Sequence, residues 1–276
     1  NYIVKKNLLK IISNLSSDWQ IFLRYWSSSF FQVLKFFGLD FWKDKARYFQ
    51  DKWNNVSQDQ NSLFLILLYK YIKDTWDILF AKDNIKQIQK VFNWNETQLK
   101  WDFIFWANYT TWQDSVKKPW YNLINNVFYL ESIKSYSKIL ESIWEENLIY
   151  KDYFEEKKLK FIDFFWNKEK WYLNDWIDNR EVYDYFSLDG NMFSIFFWIT
   201  DSKKSEKILN FLILNEENLL SPFWAKTNYP NYSFSQVCRR YHLFWMADYH
   251  NNSLYWLWLW SVSYTHLRAH ETEADI

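Results

Sequence analysis

The sequence predicts an all-α fold built from helical hairpins, and two observations favour it. Strand signals are sparse, because the single Asp-Gly pair opens a predicted helix and separates no alternating runs. Apolar residues recur at spacings of three or four residues, or their sum, which places them on one helix face. In the segment 121–143 these residues are Leu123, Val127, Leu130, Ile133, Leu140 and Ile143. Helix pairs joined by polar, aromatic-rich connections are typical of an α/α toroid or solenoid, whose loops build a pocket at one end.

Two further segments support the helical prediction. Segment 62–72 is apolar on most sides, as expected of an inner helix surrounded by others. Near 187–214, Ser187 and Asp189 can cap a helix through Phe197, and Asp201 or Ser202 can cap a second helix through Leu214. These capping signals predict a helical hairpin.

The chain has 20 Trp and only 2 Gly among 276 residues, whereas average usage would give about 7% Gly, or roughly twenty. Several tryptophans stand where a turn or helix cap is expected, a position that favours glycine because it has no Cβ. We hypothesise that the source reads the UGA codon as glycine and that this codon is translated here as tryptophan; the alternative is a genuinely Trp-rich protein. The suspect positions are Trp76, Trp106, Trp120, Trp198, Trp224 and Trp245.

Bulk composition excludes several classes of partner. Lys plus Arg (33) equals Asp plus Glu (33), so no basic field is available to hold nucleic acid. Apolar stretches such as 63–69 are far shorter than the roughly 20 residues that span a bilayer, so we expect no membrane partner. The single cysteine, Cys238, excludes an internal disulfide framework and a Cys-based zinc site, and suits a reducing, cytoplasmic compartment. The four histidines show no metal-ligand spacing, and we expect no metal and no cofactor.

Residues 1–261 are predicted to form one partial helical domain. Segment 262–276 (VSYTHLRAHETEADI) lacks the Trp, Asn and Phe bias of the preceding chain and resembles a translated sequencing-adapter read-through. We expect this tail to be non-native. The chain starts at Asn1 instead of Met, and we expect a piece of a longer protein.

Acidic and aromatic residues cluster in the connections between predicted helices. Aromatic faces stack on the apolar face of a sugar ring, carboxylates and amides bond its hydroxyls, and a pair of acids can protonate the leaving oxygen and activate water. The candidate residues are Asp59, Gln60, Trp112, Gln113, Asp114, Asp178, Arg180, Asp184, Asp189, Asp248, Tyr249, His250, Trp256 and Trp258. Helix capping by Asp59, Asp114 and Asp189, and a structural role for His250, are the alternatives.

Four segments, in order, resemble six-hairpin (α/α)6 glycoside hydrolases. VSQDQNSLFLILLYKYIKDTWD, read with glycine at 76, looks like their Q.D...L...Y....TGD segment, and TTWQDSVKKPWYNLINNVFYLESI is similar to the TWMD block of amylo-α-1,6-glucosidases. DYFSLDGNMFSIFFWITDSKKSEKILNFL resembles the LDxNxLAIxxGLA helix of neutral invertases and debranching enzymes, and DYHNNSLYWLWLW their YHNG..W motif.

The resemblance implies an inverting glycosidase with Asp114 as the general acid. It implies a pocket for the terminal sugar lined by Asp59, Trp112, Asp189, His250 and Trp256, to which the connections add Gln60, Gln113 and Tyr249 as predicted substrate-binding residues.

The general base departs from the family pattern. Debranching enzymes place Glu directly before the WLW of the last motif, but Tyr255 stands there, and between Glu217 and the tail Asp248 is the only acid. Invertase-like relatives take the base from a Glu further downstream. We therefore expect the intact enzyme to hydrolyse an α-linked sugar and this chain to be inactive.

Four functions stay open. The first is an amylo-α-1,6-glucosidase-like enzyme that removes α-linked glucose from an α-glucan or oligosaccharide, and the second is a neutral-invertase-like sucrose hydrolase. The third is a non-catalytic carbohydrate-binding helical toroid. The fourth is a helical-repeat scaffold that binds another protein, which would leave the acids on different faces.

Overall fold

The computed structural model describes residues 2–21, 24–25, 47–48, 57–105, 111–113, 115–179, 181–220, 225–243, 250–251 and 255–256. More than half of these residues are helical. The helices are α1 (Tyr2–Ile12), α2 (Asp59–Thr75), α3 (Ile78–Thr97), α4 (Leu123–Ser142), α5 (Leu148–Phe165), α6 (Leu188–Phe196), α7 (Ser202–Leu214), α8 (Glu216–Leu219) and α9 (Arg239–Leu243). The strands are β1 (Arg24–Tyr25), β2 (Arg47–Tyr48), β3 (Leu99–Lys100), β4 (Phe103–Ile104), β5 (Tyr121–Asn122), β6 (Asn174–Ile177), β7 (Val182–Ser187), β8 (Ala225–Lys226), β9 (Asn228–Tyr229) and β10 (Tyr255–Trp256).

Helix α4 is the central helix of the described fold. It is buried on nearly every side and packs against α2, α3, α5 and α6. Asn122 begins it, because its side-chain oxygen accepts the backbone N–H of Asn125 at 3.0 Å. The predicted long helix and the predicted inner helix at 62–72, which becomes α2, are both confirmed.

The predicted helical hairpin is confirmed as α6 and α7. Ser187 occupies the N-cap position of α6, and Phe197 ends that helix. Asp201 caps α7, since its carboxylate accepts the backbone N–H of Lys204 at 2.8 Å. Between the two helices the chain turns at Trp198, whose φ is 60°.

The prediction of a purely all-α fold is wrong, because four strands form an antiparallel sheet in the order β5-β6-β7-β9. In its register Asn122 pairs with Trp176, and Ser187 pairs with Asn228. β6 and β7 pair with each other across four residues, but their side chains do not alternate between buried and exposed. β5 and β9 have two residues each and pair with distant parts of the chain, so no local alternating pattern marks any of the four strands. Because β5 runs into α4 and β7 runs into α6, the sheet fixes the starts of these two helices near each other.

All non-glycine residues with positive φ in the described part of the chain are tryptophans. They are Trp19, Trp76, Trp101, Trp120, Trp144, Trp171 and Trp198, with φ between 58° and 74°. Trp76 ends α2 in the left-handed conformation, and its N–H donates to the Ile72 carbonyl at 2.8 Å. The expected left-handed backbone is thus confirmed at Trp76 and also occurs at Trp120 and Trp198, whereas Trp106, Trp224 and Trp245 lie outside the described residues.

Among the described helices, none combines the length and the apolar character needed to cross a membrane.

Candidate functional site

Three side chains that the sequence analysis selected meet in the fold: Trp112, Asp189 and His250. The indole Nε1 of Trp112 donates to Asp189 Oδ2 at 2.6 Å. The His250 ring packs edge-on against the Trp112 ring, with centroids 5.2 Å apart and an interplanar angle of 82°. This Trp–Asp–His cluster joins three segments that are far apart in sequence.

Asp189 lies in the first turn of α6 and is fully buried. Its Oδ1 accepts the hydroxyl of Ser187, and the N–H groups at this end of the helix carry partial positive charge that favours a carboxylate. The N-cap position itself belongs to Ser187. The carboxylate of Asp189 therefore bonds the indole of Trp112 from the start of a helix without being its cap residue.

His250 is buried and uncharged at neutral pH. Burial lowers the pKa of His250 to about 3, and the nearby charge of Lys118 acts in the same direction. Nδ1 of the ring lies 2.8 Å from the hydroxyl of Ser115. Ser115 is also buried, and its hydroxyl has no second hydrogen bond to any residue that the structure describes. The hydrogen bond between Ser115 and His250 holds the His250 ring beside the segment that carries Trp112.

A buried ion pair lies next to this cluster. Lys118 Nζ donates to Asp175 Oδ1 at 2.8 Å and to Gln113 Oε1 at 2.5 Å, and all three side chains are buried. The second carboxylate oxygen of Asp175 accepts the hydroxyl of Tyr232 at 2.6 Å. Burial raises the pKa of Asp175, and the charge of Lys118 opposes that change. Sequence reasoning missed Lys118, Asp175 and Tyr232, because nothing distinguishes Lys118 from the adjacent Lys117.

Gln113 is oriented by this ion pair. Because the Lys118 ammonium group can only donate hydrogen bonds, the amide oxygen of Gln113 must face Lys118, and the amide nitrogen faces away from it. The amide nitrogen, Nε2, is buried and has no hydrogen-bond partner among the described residues. A buried amide donor without a partner is costly, so a ligand oxygen or a water molecule is the expected acceptor.

Asp59 and Gln60 lie at the start of α2. Asp59 accepts the Ser57 hydroxyl at 2.6 Å and the Gln60 amide at 3.3 Å, and Gln58 occupies the N-cap position. Burial raises the pKa of Asp59. Within the described part of the chain, no hydrogen bond, ion pair or ring contact joins either residue to the Trp–Asp–His cluster.

Six candidate residues are not described, or only in part, and Arg180, Asp248 and Trp258 are three of those that lie outside the described residues. Asp114 and Tyr249 lie outside the described residues, although the neighbours of Asp114 on both sides, Gln113 and Ser115, contact the site. The backbone of Trp256 pairs with Ala225, and its side chain lies outside the description.

Two other acids from the predicted connections have local partners. Asp184 forms an ion pair with Lys170 at the surface, and Asp178 accepts the backbone N–H of Glu181 at 2.9 Å. Over the described ranges, no group of three or more His, Cys, Asp or Glu side chains is arranged to hold a metal ion.

Comparisons with known proteins give a likeness of fold. No family model matches the chain, and no curated protein matches it. A solved structure of a rhamnosidase from Klebsiella oxytoca with rhamnose bound is similar over 77% of this chain, with a TM-score of 0.58 and 14% sequence identity. A GH78 family rhamnosidase of Bacillus sp. GL1 is similar over 58% of this chain and 18% of its own, with a TM-score of 0.49 and 13% identity. The chain corresponds to 37% of the Klebsiella oxytoca protein and shares the fold of that part.

Proposed function

We propose that this protein is a glycoside hydrolase and that the Trp–Asp–His cluster belongs to its sugar-binding pocket. The observation that supports this most is the 2.6 Å bond between Trp112 and Asp189, with His250 against the same indole. An aromatic face beside a carboxylate and a neutral imidazole is suited to bind a sugar ring and its hydroxyls. The fold likeness to part of a rhamnosidase adds support from an independent comparison.

In this proposal Asp114 is the general acid that protonates the glycosidic oxygen. Its flanking residues are held by the site, since Gln113 bonds Lys118 and Ser115 bonds His250. Asp189 and His250 are proposed as substrate-binding residues that act with Trp112: Asp189 holds its indole, and His250 packs against the same ring. Asp59, Gln60, Tyr249 and Trp256 are proposed as further substrate-binding residues of an (α/α)6 toroid.

An inverting mechanism is proposed for the reaction. Such a mechanism needs a second carboxylate, roughly 6.5–9.5 Å from the acid, to activate water. Asp175 does not suit this role, because both of its oxygens are engaged, one by Lys118 and the other by Tyr232.

Two substrate classes follow from different observations. The sequence motifs favour an α-linked glucose at the end of an α-glucan or oligosaccharide, with sucrose as the invertase-like variant. The rhamnose-bound neighbour favours a rhamnoside. A non-catalytic carbohydrate-binding toroid is the outcome if the protein binds sugar but hydrolyses nothing.

The test is an assay of the protein expressed from its complete gene. Release of glucose from a branched α-glucan and from sucrose, and of rhamnose from an aryl α-rhamnoside, is measured for wild type and for Asp114→Asn. We expect this substitution to lower kcat on the accepted substrate by about 10²- to 10⁴-fold, the usual contribution of a general acid.

The matched control is Asp184→Asn, because Asp184 pairs with Lys170 at the surface and takes no part in the cluster. Its activity should equal that of wild type. Equal activity of Asp114→Asn and wild type would refute the proposed role of Asp114 as general acid. A folded protein that releases no sugar from any of the three substrates would refute the proposed glycoside hydrolase function.

A further inference from the structure

Three long-range side-chain contacts and one backbone bridge hold the segment that carries Trp112 and Ser115. The segment lies outside every helix and named strand in its described residues. At one end of the segment, Trp112 donates a hydrogen bond to Asp189. At the other end, Lys118 donates one to Asp175 on β6. Between them, Ser115 bonds His250. Backbone contacts add to these side-chain contacts, since Val116 bridges Val237 in antiparallel fashion and the Lys117 N–H donates to the Gln236 carbonyl at 2.7 Å. The side-chain contacts fix the two ends of the segment on either side of this bridge.

Lys118 is the most heavily engaged of these anchors. It is fully buried, its Nζ bonds both Gln113 and Asp175, and it lies 5.1 Å from the centroid of the Tyr232 ring. Tyr232 in turn donates to Asp175, so the lysine and the tyrosine together fix both oxygens of one carboxylate.

The same network continues to His250 through the backbone. The Tyr232 N–H donates to the Asn251 side-chain oxygen at 2.6 Å, and Asn251 follows His250 directly in the chain. The network therefore reaches both sides of the Trp–Asp–His cluster: the segment before α4 and the residue after His250.

A buried ion pair of this kind is a poor way to gain stability. Removing two charges from water costs several kcal/mol for each ion, and apolar residues of similar volume often replace such a pair without loss of stability. The Lys118–Asp175 pair is therefore better explained by a role in positioning the residues around it than by a contribution to stability.

We propose that Lys118, held by Asp175 and Tyr232, is a positioning residue that fixes Gln113 and the segment 111–118 in the sugar site. It acts through Gln113 and Asp175 and does not touch the substrate. This inference rests on the proposed glycosidase function and adds a residue set that the sequence motifs did not indicate.

The test separates positioning from stability with one double variant. Lys118→Met leaves Asp175 buried without its cation, so we expect a lower unfolding midpoint and lower activity. Lys118→Met/Asp175→Leu removes both charges, and we expect the unfolding midpoint to recover towards the wild-type value. If Lys118 positions the segment, kcat/KM on the accepted glycoside stays about 10- to 100-fold below wild type in the double variant, the scale expected when a catalytic segment shifts by about 1 Å.

A remote lysine provides the matched control. Lys157 is buried and its Nζ lies 2.7 Å from Asp102 Oδ1, and neither residue contacts the cluster among the described residues. Lys157→Met should lower the unfolding midpoint and leave kcat/KM unchanged. Tyr232→Phe removes one bond to Asp175 while the ion pair stays, and we expect a smaller fall in kcat/KM in a protein that folds.

The outcomes are distinct. A double variant that regains activity together with stability, or a Tyr232→Phe protein as active as wild type, overturns the positioning role alone. A folded wild-type protein that hydrolyses no glycoside overturns the proposed function and this inference with it.

Discussion

Burial keeps the imidazole of His250 neutral, and this lowers the stability of the folded protein at low pH. In the folded protein the pKa of His250 is lowered to about 3, whereas an unfolded chain has a histidine pKa of about 6.5. Between these values the unfolded state binds more protons than the folded state. Stability is therefore lost as pH falls through this window, by about 1.4 kcal/mol for each pH unit.

We predict that His250→Gln removes this pH dependence. The free energy of unfolding, measured with urea from pH 7 to pH 4, should fall more steeply in wild type than in the variant. Buried Asp59, Asp175 and Glu131 have raised pKa values and act in the opposite direction, but they are common to both proteins. The difference between the two curves isolates His250, and parallel curves would contradict the prediction.

Sequence analysis could select those residues of the candidate site whose side-chain type suggests a role in binding or catalysis. It could not select residues that join the candidate site only through long-range contacts in the fold. Trp112, Asp189 and His250 stand out as aromatic, acidic and basic residues in connections, and the fold brings them together. Lys118 and Asp175 are 57 positions apart, and only the pairing of β5 with β6 places their segments side by side. A contact of that range has no local sequence signal.

At the scale of elements, the contact between α4 and α6 depends on Gly190. A Cβ at position 190 would lie 2.5 Å from Cδ2 and 2.7 Å from Cγ of Leu123, which is itself fully buried. We predict that Gly190→Ala destabilises the protein by about 1–3 kcal/mol, since overpacking outweighs the gain of roughly 1 kcal/mol that alanine brings to a helix.

A double-mutant cycle with Leu123→Ala checks this contact. Leu123→Ala alone should cost about 2–5 kcal/mol, because it opens a cavity in the core. In the double variant the alanine at 190 fills part of that cavity, so the combined loss should be smaller than the sum of the two. Strictly additive free energies of unfolding from urea titration would argue against the contact.

The elements that sequence predicted well are those with local signals. Helical periodicity indicated α4, a run that is apolar on most sides indicated α2, and the candidate caps Asp201 and Ser202 indicated the start of α7. The sheet was missed because the residues of the β6–β7 pair do not alternate between buried and exposed, and because β5 and β9 each have two residues and pair far along the chain. Strands of that length carry no alternating pattern, so their pairing is decided by tertiary structure.

At the scale of the whole molecule, the left-handed tryptophans occur from residue 19 to residue 198 and share one backbone conformation. For a residue with a Cβ this conformation costs about 1–2 kcal/mol, and glycine avoids that cost. Burial does not offset it at Trp76, Trp144 and Trp198, whose exposed fractions are 81%, 89% and 79%. Summed over the chain, the strain is comparable with the whole stability of a typical domain, about 5–15 kcal/mol.

We predict that glycine at all seven left-handed positions stabilises the protein. The free energy of unfolding in urea should rise by roughly 1 kcal/mol for each position, provided the effects are independent. The matched control places glycine at Trp94, Trp166 and Trp176, which lack a positive φ, and Trp94 and Trp176 are buried. That chain should lose stability, because glycine there removes core packing.

The gene provides an independent check of the same argument. If UGA is read as glycine in the source, the codons at the seven left-handed positions are UGA, including Trp19, Trp101, Trp144 and Trp171, which were not suspected from sequence. The buried Trp94 and Trp176 should be encoded by UGG, because their side chains fill the core. UGG at the left-handed positions would refute the reassignment, and the glycine-substituted chain would then report only on backbone strain.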